Sequence, residues 1–206
     1  MKIEDDCMTI PLRERRRQML RDEILQAAGT LMHEKGYAAM SMDELASQVG
    51  ISKPTLYSHF TTKEDLVVAA VSYWFDRVTE AVNADPTPRS PLQQLAFILR
   101  TVMQLQVDRG ALSPRPWAPE VFQLLCQHPR VRDRLDQIDA SVKRLVHEAR
   151  AGGEINPALD PVVIVRAFFT LIHTLKAPLP FEVGQPEPSA VADTLATIFE
   201  RGVRAN

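Results

Sequence analysis

The sequence predicts an all-α protein built in two parts, and three observations carry the prediction. Apolar residues recur at spacings of three and four nearly throughout the chain, the period of an amphipathic helix. Helix punctuation separates these runs: hydroxyl or acidic residues and prolines at their starts, glycines at their ends. Glycine is scarce, at 8 of 206 residues, which disfavours a fold rich in tight β-turns, and no segment alternates convincingly as a strand. At about 150 residues per domain the length falls between one domain and two, enough for a small head and a larger body.

Taken in order, Leu20, Ile24, Ala27 or Ala28 and Leu31 mark the first helix, with a basic last turn and a glycine stop at Lys35 and Gly36. Ser41 and Glu44 have capping-box spacing and open a short helix that ends at Gly50. Ser52 caps a third helix, which tolerates Pro54 in its first turn. Thr62 starts a long fourth helix, about 63–84, with apolar positions at Leu66, Ala70, Trp74, Val78, Ala81 and Val82. The proline-rich stretch 85–91 interrupts the chain.

Beyond it, Ser90 and Pro91 open a helix striped by Leu92, Leu95, Leu99, Val102, Met103 and Val107. Residues 110–119 carry three prolines and read as a loop around Trp117. A short helix at about 120–128 precedes a long amphipathic one, from Val131 through Val142, Leu145 and Ala149 to the glycines at 152 and 153. Asp160 and Pro161 begin a helix over 162–177 that is apolar on nearly every face, the pattern of a helix buried on several sides. Pro178 and Pro180 end it, and Val191, Ala192, Leu195, Ile198, Phe199 and Val203 mark the last.

Composition bounds the function. Hydrophobic residues make up 45% and charged residues 24%, a globular balance with a net charge of -2 that gives no global reason to expect a nucleic-acid partner. Cys7 and Cys126 lie far apart without metal spacing, which predicts reduced thiols, and the acidic start at Glu4, Asp5 and Asp6 is no signal peptide. The most apolar stretch, 162–175, contains Arg166 and His173 and is shorter than the roughly 20 residues a bilayer requires, so the chain reads as cytoplasmic, with no membrane partner. No phosphate loop, G-x-S-x-G or H-E-x-x-H occurs, so no enzyme and no cofactor is expected. Cys126, His128, His147 and His173 have no metal-ligand spacing.

Local charge shows what the total conceals. Residues 1–66 hold 9 basic and 11 acidic side chains, yet no Asp or Glu occurs from Leu45 to Lys63. The second and third helices are joined by a turn at Gly50 and Ile51, the form of a helix-turn-helix, with Leu45, Val49, Ile51, Leu56 and Phe60 as its small core and Ala46 at the close crossing. Lys53, Thr55, Tyr57, Ser58 and His59 of the third helix can meet phosphates or base edges in a major groove. Arg13, Arg15, Arg16, Arg17 and Arg21 form a second basic cluster, either a solvated helix entry or an arm reaching the flanking backbone or minor groove.

The run SMDELASQVGISKPTLYSHFTTKEDL at 41–66 resembles the N-terminal signature of the tetracycline-repressor (TetR) family of bacterial transcription regulators. That resemblance implies an all-α homodimer with an N-terminal three-helix operator-binding domain, 10–62, and a C-terminal domain, 63–206, for a small molecule and dimerisation. It implies recognition-helix contacts at Lys53, Thr55, Tyr57 and His59, and phosphate contacts at the helix starts Ser41, Ser52 and Lys63, with Arg17 added from the basic cluster. Tyr57 has an amphipathic ring, so packing and contact both stay open. Thr62 stands where the family commonly has serine or asparagine and keeps the capping hydroxyl.

Double-stranded operator DNA and a small-molecule effector are thus the expected partners, with a homodimer formed through the last two helices. Trp74, Phe75, Phe97, Met103, Trp117, Phe122, Phe168 and Phe169 either line an effector pocket or pack in the core, and Trp117, in its proline-rich loop, is the better candidate for a pocket lid or mouth. His147 and His173 are either pocket residues or hydrogen-bonded interior histidines, and Arg100, Arg166 and His173 can pair an anion if they point inward. A regulator whose body only dimerises or binds a protein partner, with no effector, remains the alternative.

Overall fold

The computed structural model describes residues 11–108, 118–174 and 187–205. Within them the chain forms nine helices: α1 (Leu12–Ala39), α2 (Met42–Val49), α3 (Lys53–His59), α4 (Lys63–Asn83), α5 (Pro91–Asp108), α6 (Pro119–Cys126), α7 (Pro129–Ala151), α8 (Pro161–Thr174) and α9 (Pro188–Val203). The expected all-α fold is therefore the observed one. The proline-rich loop with Trp117, the acidic start with Cys7, and the expected end of α8 at Pro178 lie outside the described residues.

Local chemistry places the head. Ser41 accepts from the Glu44 amide at 3.1 Å, Ser52 from Thr55 at 3.2 Å and Thr62 from Asp65 at 3.0 Å, so α2, α3 and α4 each begin on a hydroxyl cap. Gly50 takes φ 76° and ψ 29°, and the amides of Gly50 and Ile51 close on the carbonyls of Ser47 and Ala46. This is a Schellman stop, and the left-handed backbone it needs suits glycine. The stop expected at Gly36 is a break and not an end: Gly36 leaves helical geometry at φ 79° and ψ 165°, and a further turn, 37–39, follows within α1.

A single apolar core runs from α1 through α9 and includes Leu45, Leu56 and Phe60 of the head together with Leu66, Val67 and Val71 of α4. α4 thus packs against α1 at its start and against the body along its length. The connection after α4 is ordered by Asp85, whose carboxylate accepts from the Thr87 amide at 3.0 Å and from Arg89. Thr87 and Arg89 together hold its pKa down to about 2.

In the body, α5 packs most extensively on α9, and Arg100 of α5 pairs with Asp193 of α9 at 2.9 Å. The segment after α7 is fixed to the chain end, where the Asn156 amide donates to Val203 at 2.9 Å and Ala205 to Glu154 at 2.8 Å. α8 departs from expectation: Phe168 is buried, but Val162 and Val163 stand 63% and 60% exposed in the single chain. Among the described residues no helix is long and apolar enough to cross a membrane.

Candidate DNA-reading surface and body cavity

On the head, α3 buries Leu56 and leaves Lys53, Tyr57 and Ser58 exposed, with Thr55 and His59 half-buried. Tyr57, at 48% exposure, stands out from the core and does not pack into it. The Ser52 and Thr55 hydroxyls share a hydrogen bond of 2.8 Å, and Ser58 donates back to the Thr55 carbonyl at 2.7 Å, which fixes the polar edge of the helix. Lys53 pairs with Asp43 at 2.6 Å, and Lys35 pairs with Glu44, so the acidic first turn of α2 is neutralised by a lysine on each side. Both pairs reach solvent, so parting Lys53 from Asp43 would cost little.

Lys63 is held differently. Its ammonium lies 4.4 Å from the centre of the Tyr37 ring and donates to the Ala38 carbonyl at 3.4 Å. Burial lowers its pKa, opposed by the nearby Glu64 charge. Tyr37 in turn donates to Glu64 at 3.2 Å, and burial, followed by that carboxylate, raises the phenol pKa. Tyr37 was not among the sequence candidates because its spacing from Lys63 is set by the break at Gly36, a conformation the pattern does not encode.

The basic cluster proves helical. α1 begins at Leu12, so Arg13, Arg15, Arg16, Arg17 and Arg21 ride on its first turns and do not form an extended arm. Arg21 donates to the His59 carbonyl at 3.4 Å and lies 4.4 Å over the Phe60 ring, which joins α1 to the end of α3. Arg13, Arg16, Arg17, Arg21, Ser58 and His59 line one open cleft there. Burial first, then the charges of Arg17 and Arg21, lowers the His59 pKa below its ordinary value. The surface therefore continues from α3 onto α1, carries fixed guanidinium charge, and can accept phosphate.

In the body, a cavity of about 300 Å³ lies between α4, α5, α7 and α8. Its apolar wall comes from Trp74, Phe75, Val78 and Val82 of α4, Ile98 and Val102 of α5, Ile138, Val142 and Leu145 of α7, and Phe168, Phe169 and Ile172 of α8. Thr79, Asn83, Arg134, Gln137 and Ser141 supply its polar edge. Apolar walls with few polar groups are what small-molecule sites also have, and the volume falls at the low end of their usual range of roughly 300–1,000 Å³.

Of the expected pocket residues, Trp74, Phe75, Phe168 and Phe169 line this cavity, and Phe97 and Met103 do not. Arg89 stacks 3.6 Å over the Phe97 ring, and Met103 is fully buried in the core, because each falls on another face of α5 from Ile98 and Val102. Phe122 and His147, with Phe169 and Arg166, instead line an open groove between α6, α7 and α8. Arg100 is taken by Asp193. Trp117 lies outside the described residues, and His173 is on α8. Among the described residues, no group of three or more His, Cys, Asp or Glu is placed to hold a metal ion.

Comparison with known proteins agrees with this geometry. Residues 24–70 match the family model described as bacterial regulatory proteins, tetR family. The chain is 28% identical over 165 residues to the transcriptional repressor KstR of Rhodococcus jostii, covering 79% of this chain and 71% of that one. It is 25% identical over 193 residues to the transcriptional regulator UidR of Escherichia coli K12, covering 91% of each. Among solved structures, the ketosteroid transcriptional regulator KstR2 of Mycobacterium tuberculosis superposes with a TM-score of 0.73 at 21% identity, over 96% of this chain and 98% of that one. AibR in complex with isovaleryl coenzyme A and operator DNA superposes with a TM-score of 0.65 at 25% identity, over 87% and 97%. Residues 24–70 thus carry the N-terminal domain of the TetR family of bacterial regulatory proteins, and the chain is similar over most of its length to transcription regulators.

Proposed function

We propose that the chain is a ligand-responsive repressor that binds a palindromic operator as a homodimer in the cytoplasm and is released by a small apolar or amphipathic molecule. Residues 10–62 serve as the operator-binding domain and 63–206 as the effector-binding and dimerisation domain, joined by α4. The observation that carries this reading is the position of α4: Lys63 at its start touches the head at Tyr37, and Trp74, Val78 and Val82 farther along line the cavity. A molecule in that cavity bears on the helix that sets the spacing of two heads. It shifts the equilibrium only by binding one spacing better than the other.

On this reading Lys53, Thr55, Tyr57 and His59 meet the half-site, and Ser41, Ser52, Lys63 and Arg17 hold its phosphates. Two copies are required because half-sites lie about one helical turn, 34–36 Å, or a multiple apart. The exposed Val162 and Val163 of α8 and Ile198 of α9 give a second copy an apolar surface to cover through those two helices. The cavity favours this reading over a regulator without an effector. The relative KstR is a repressor, and AibR carries isovaleryl coenzyme A together with operator DNA, which supports a repressor that answers to an organic ligand.

Selection of bound duplexes from a random pool, with mass measurement of the complex, tests the proposal. The expected result is a palindrome carrying two copies, released by at least one compound that raises the melting temperature of the protein. Failure to enrich any duplex, or a monomer on a non-symmetric site, would overturn it.

A further inference from the structure

The cavity walls carry a one-sided set of charges. Among the described residues, Arg134 is the charged one on the wall and no Asp or Glu lines the space. The other polar groups are the amides of Asn83 and Gln137 and the hydroxyl of Ser141, all able to donate, and the Thr79 hydroxyl. An organic cation entering here would lose water beside a guanidinium, with no carboxylate among the described wall residues to offset the loss. The buried Trp74, also on the wall, has an indole N–H without an acceptor among the described residues, and that group donates only. Donors are thus present among the wall residues of an otherwise apolar space.

Arg134 also has a second role. From α7 it donates to the Thr79 hydroxyl at 2.7 Å and lies 3.4 Å from the Asp76 carboxylate, both on α4. Thr79 gives its own proton to the Phe75 carbonyl at 2.8 Å, so toward Arg134 it is an acceptor. The guanidinium, about a third exposed at the cavity mouth, therefore fastens α7 to the helix that joins head and body.

We infer that the ligand of this cavity is an amphipathic anion whose apolar body lies among Val102, Phe168 and Ile172 and whose charged end takes Arg134 from Asp76 and Thr79. This rests on the ligand-responsive reading above and names its chemistry. It also gives the ligand a physical grip on α4, because the bound state is the one in which the Arg134 fastening is exchanged for a ligand contact.

Decanoate, decanol and decyltrimethylammonium, matched in chain length and differing in charge, are to be titrated into the full chain by calorimetry. Decanoate should bind about tenfold more tightly than decanol, with no binding of the ammonium. Arg134→Gln should bring decanoate to the level of decanol, and Arg134→Lys should restore much of the difference. Asp76→Asn removes the competing carboxylate and should tighten decanoate a few-fold, a gain that a purely structural role for the pair does not produce. Equal binding of decanoate and decanol, or a decanoate preference that survives Arg134→Gln, would overturn the charge assignment and leave the cavity reading standing. No binding by any of the three would overturn the ligand-responsive reading beneath it.

Discussion

The helix-turn-helix and three of the body's helices begin by different chemistry, whereas α5 and α8 of the body also start on side-chain caps, Ser90 and Asp160, and α1 of the head has none. α2 and α3, of 8 and 7 residues, and α4 after them start on the hydroxyls of Ser41, Ser52 and Thr62. α6, α7 and α9 start on prolines, with no side-chain cap bond before them. A helix of two turns is too short to be stable alone, so its end groups matter in proportion, whereas a helix of 23 residues such as α7 draws on the apolar face it buries. The head is thus held by local hydrogen bonds around a small core, the body by long-range packing that leaves a space at its centre.

The largest test of that contrast is a pair of core truncations. Phe168 is 1% exposed and meets Phe169 and Phe199 edge-on at 5.6 and 5.7 Å, so Phe168→Ala should cost about 3–5 kcal/mol. Leu56 is fully buried in the head, and Leu56→Ala should cost about 2–5 kcal/mol. Because one apolar core joins the two regions through α4, urea denaturation followed by circular dichroism should show one shifted transition in each case. Two transitions, with only one displaced, would mean that the regions unfold separately.

Caps come next in size. Ser52→Ala removes the acceptor of the Thr55 amide and should destabilise by about 1 kcal/mol. His128→Ala, at the corresponding position before α7, should change stability by less than about 0.5 kcal/mol because no cap bond is lost there. Equal effects at the two positions would erase the distinction.

The same contrast explains what the sequence made legible. Caps, the Gly50 stop and the acid-free run are written within a few residues, so the helix starts and the exposed face of α3 follow from them directly. The cavity draws on four helices separated by up to a hundred residues, and single-helix periodicity does not say which apolar face meets a space. Ile98 and Val102 line it while Phe97 and Met103, one residue away from each, do not. Arg134 was passed over for a related reason: on the amphipathic face of α7 it reads as one more solvated charge until Thr79 and Asp76 appear beside it. The exposed valines of α8 show the limit from the other side, since an all-round apolar helix signals burial without naming the chain that supplies it.

Charge on the head gives a smaller effect. Lys53→Ala should weaken binding several-fold on operator and random duplex and lower the salt slope by about one. Asp43→Ala frees Lys53 from its 2.6 Å pair and should strengthen binding by less than that, with stability nearly unchanged in both variants. Filter binding at two salt concentrations separates these outcomes from a structural defect, which would leave the slope alone.

The smallest predicted effect sets one histidine against itself. His59 has a lowered pKa because it is partly buried and faces Arg17 and Arg21, and its Nδ1 has no hydrogen-bond partner among the described residues. In the free protein the unfolded chain takes up the proton first, so stability attributable to His59 is kept above the ordinary histidine pKa of about 6.5 and falls as the pH drops through it. A phosphate in the cleft beside Arg17 and Arg21 reverses the local field and raises the pKa of the bound state, so binding takes up a proton. Operator affinity should therefore rise by a few-fold from about pH 8 to about pH 6 while the free protein loses stability. His59→Asn should flatten both trends together. If the affinity trend stays while the stability trend goes, the proton is taken up elsewhere on the surface, and the cleft between α1 and α3 does not hold a phosphate.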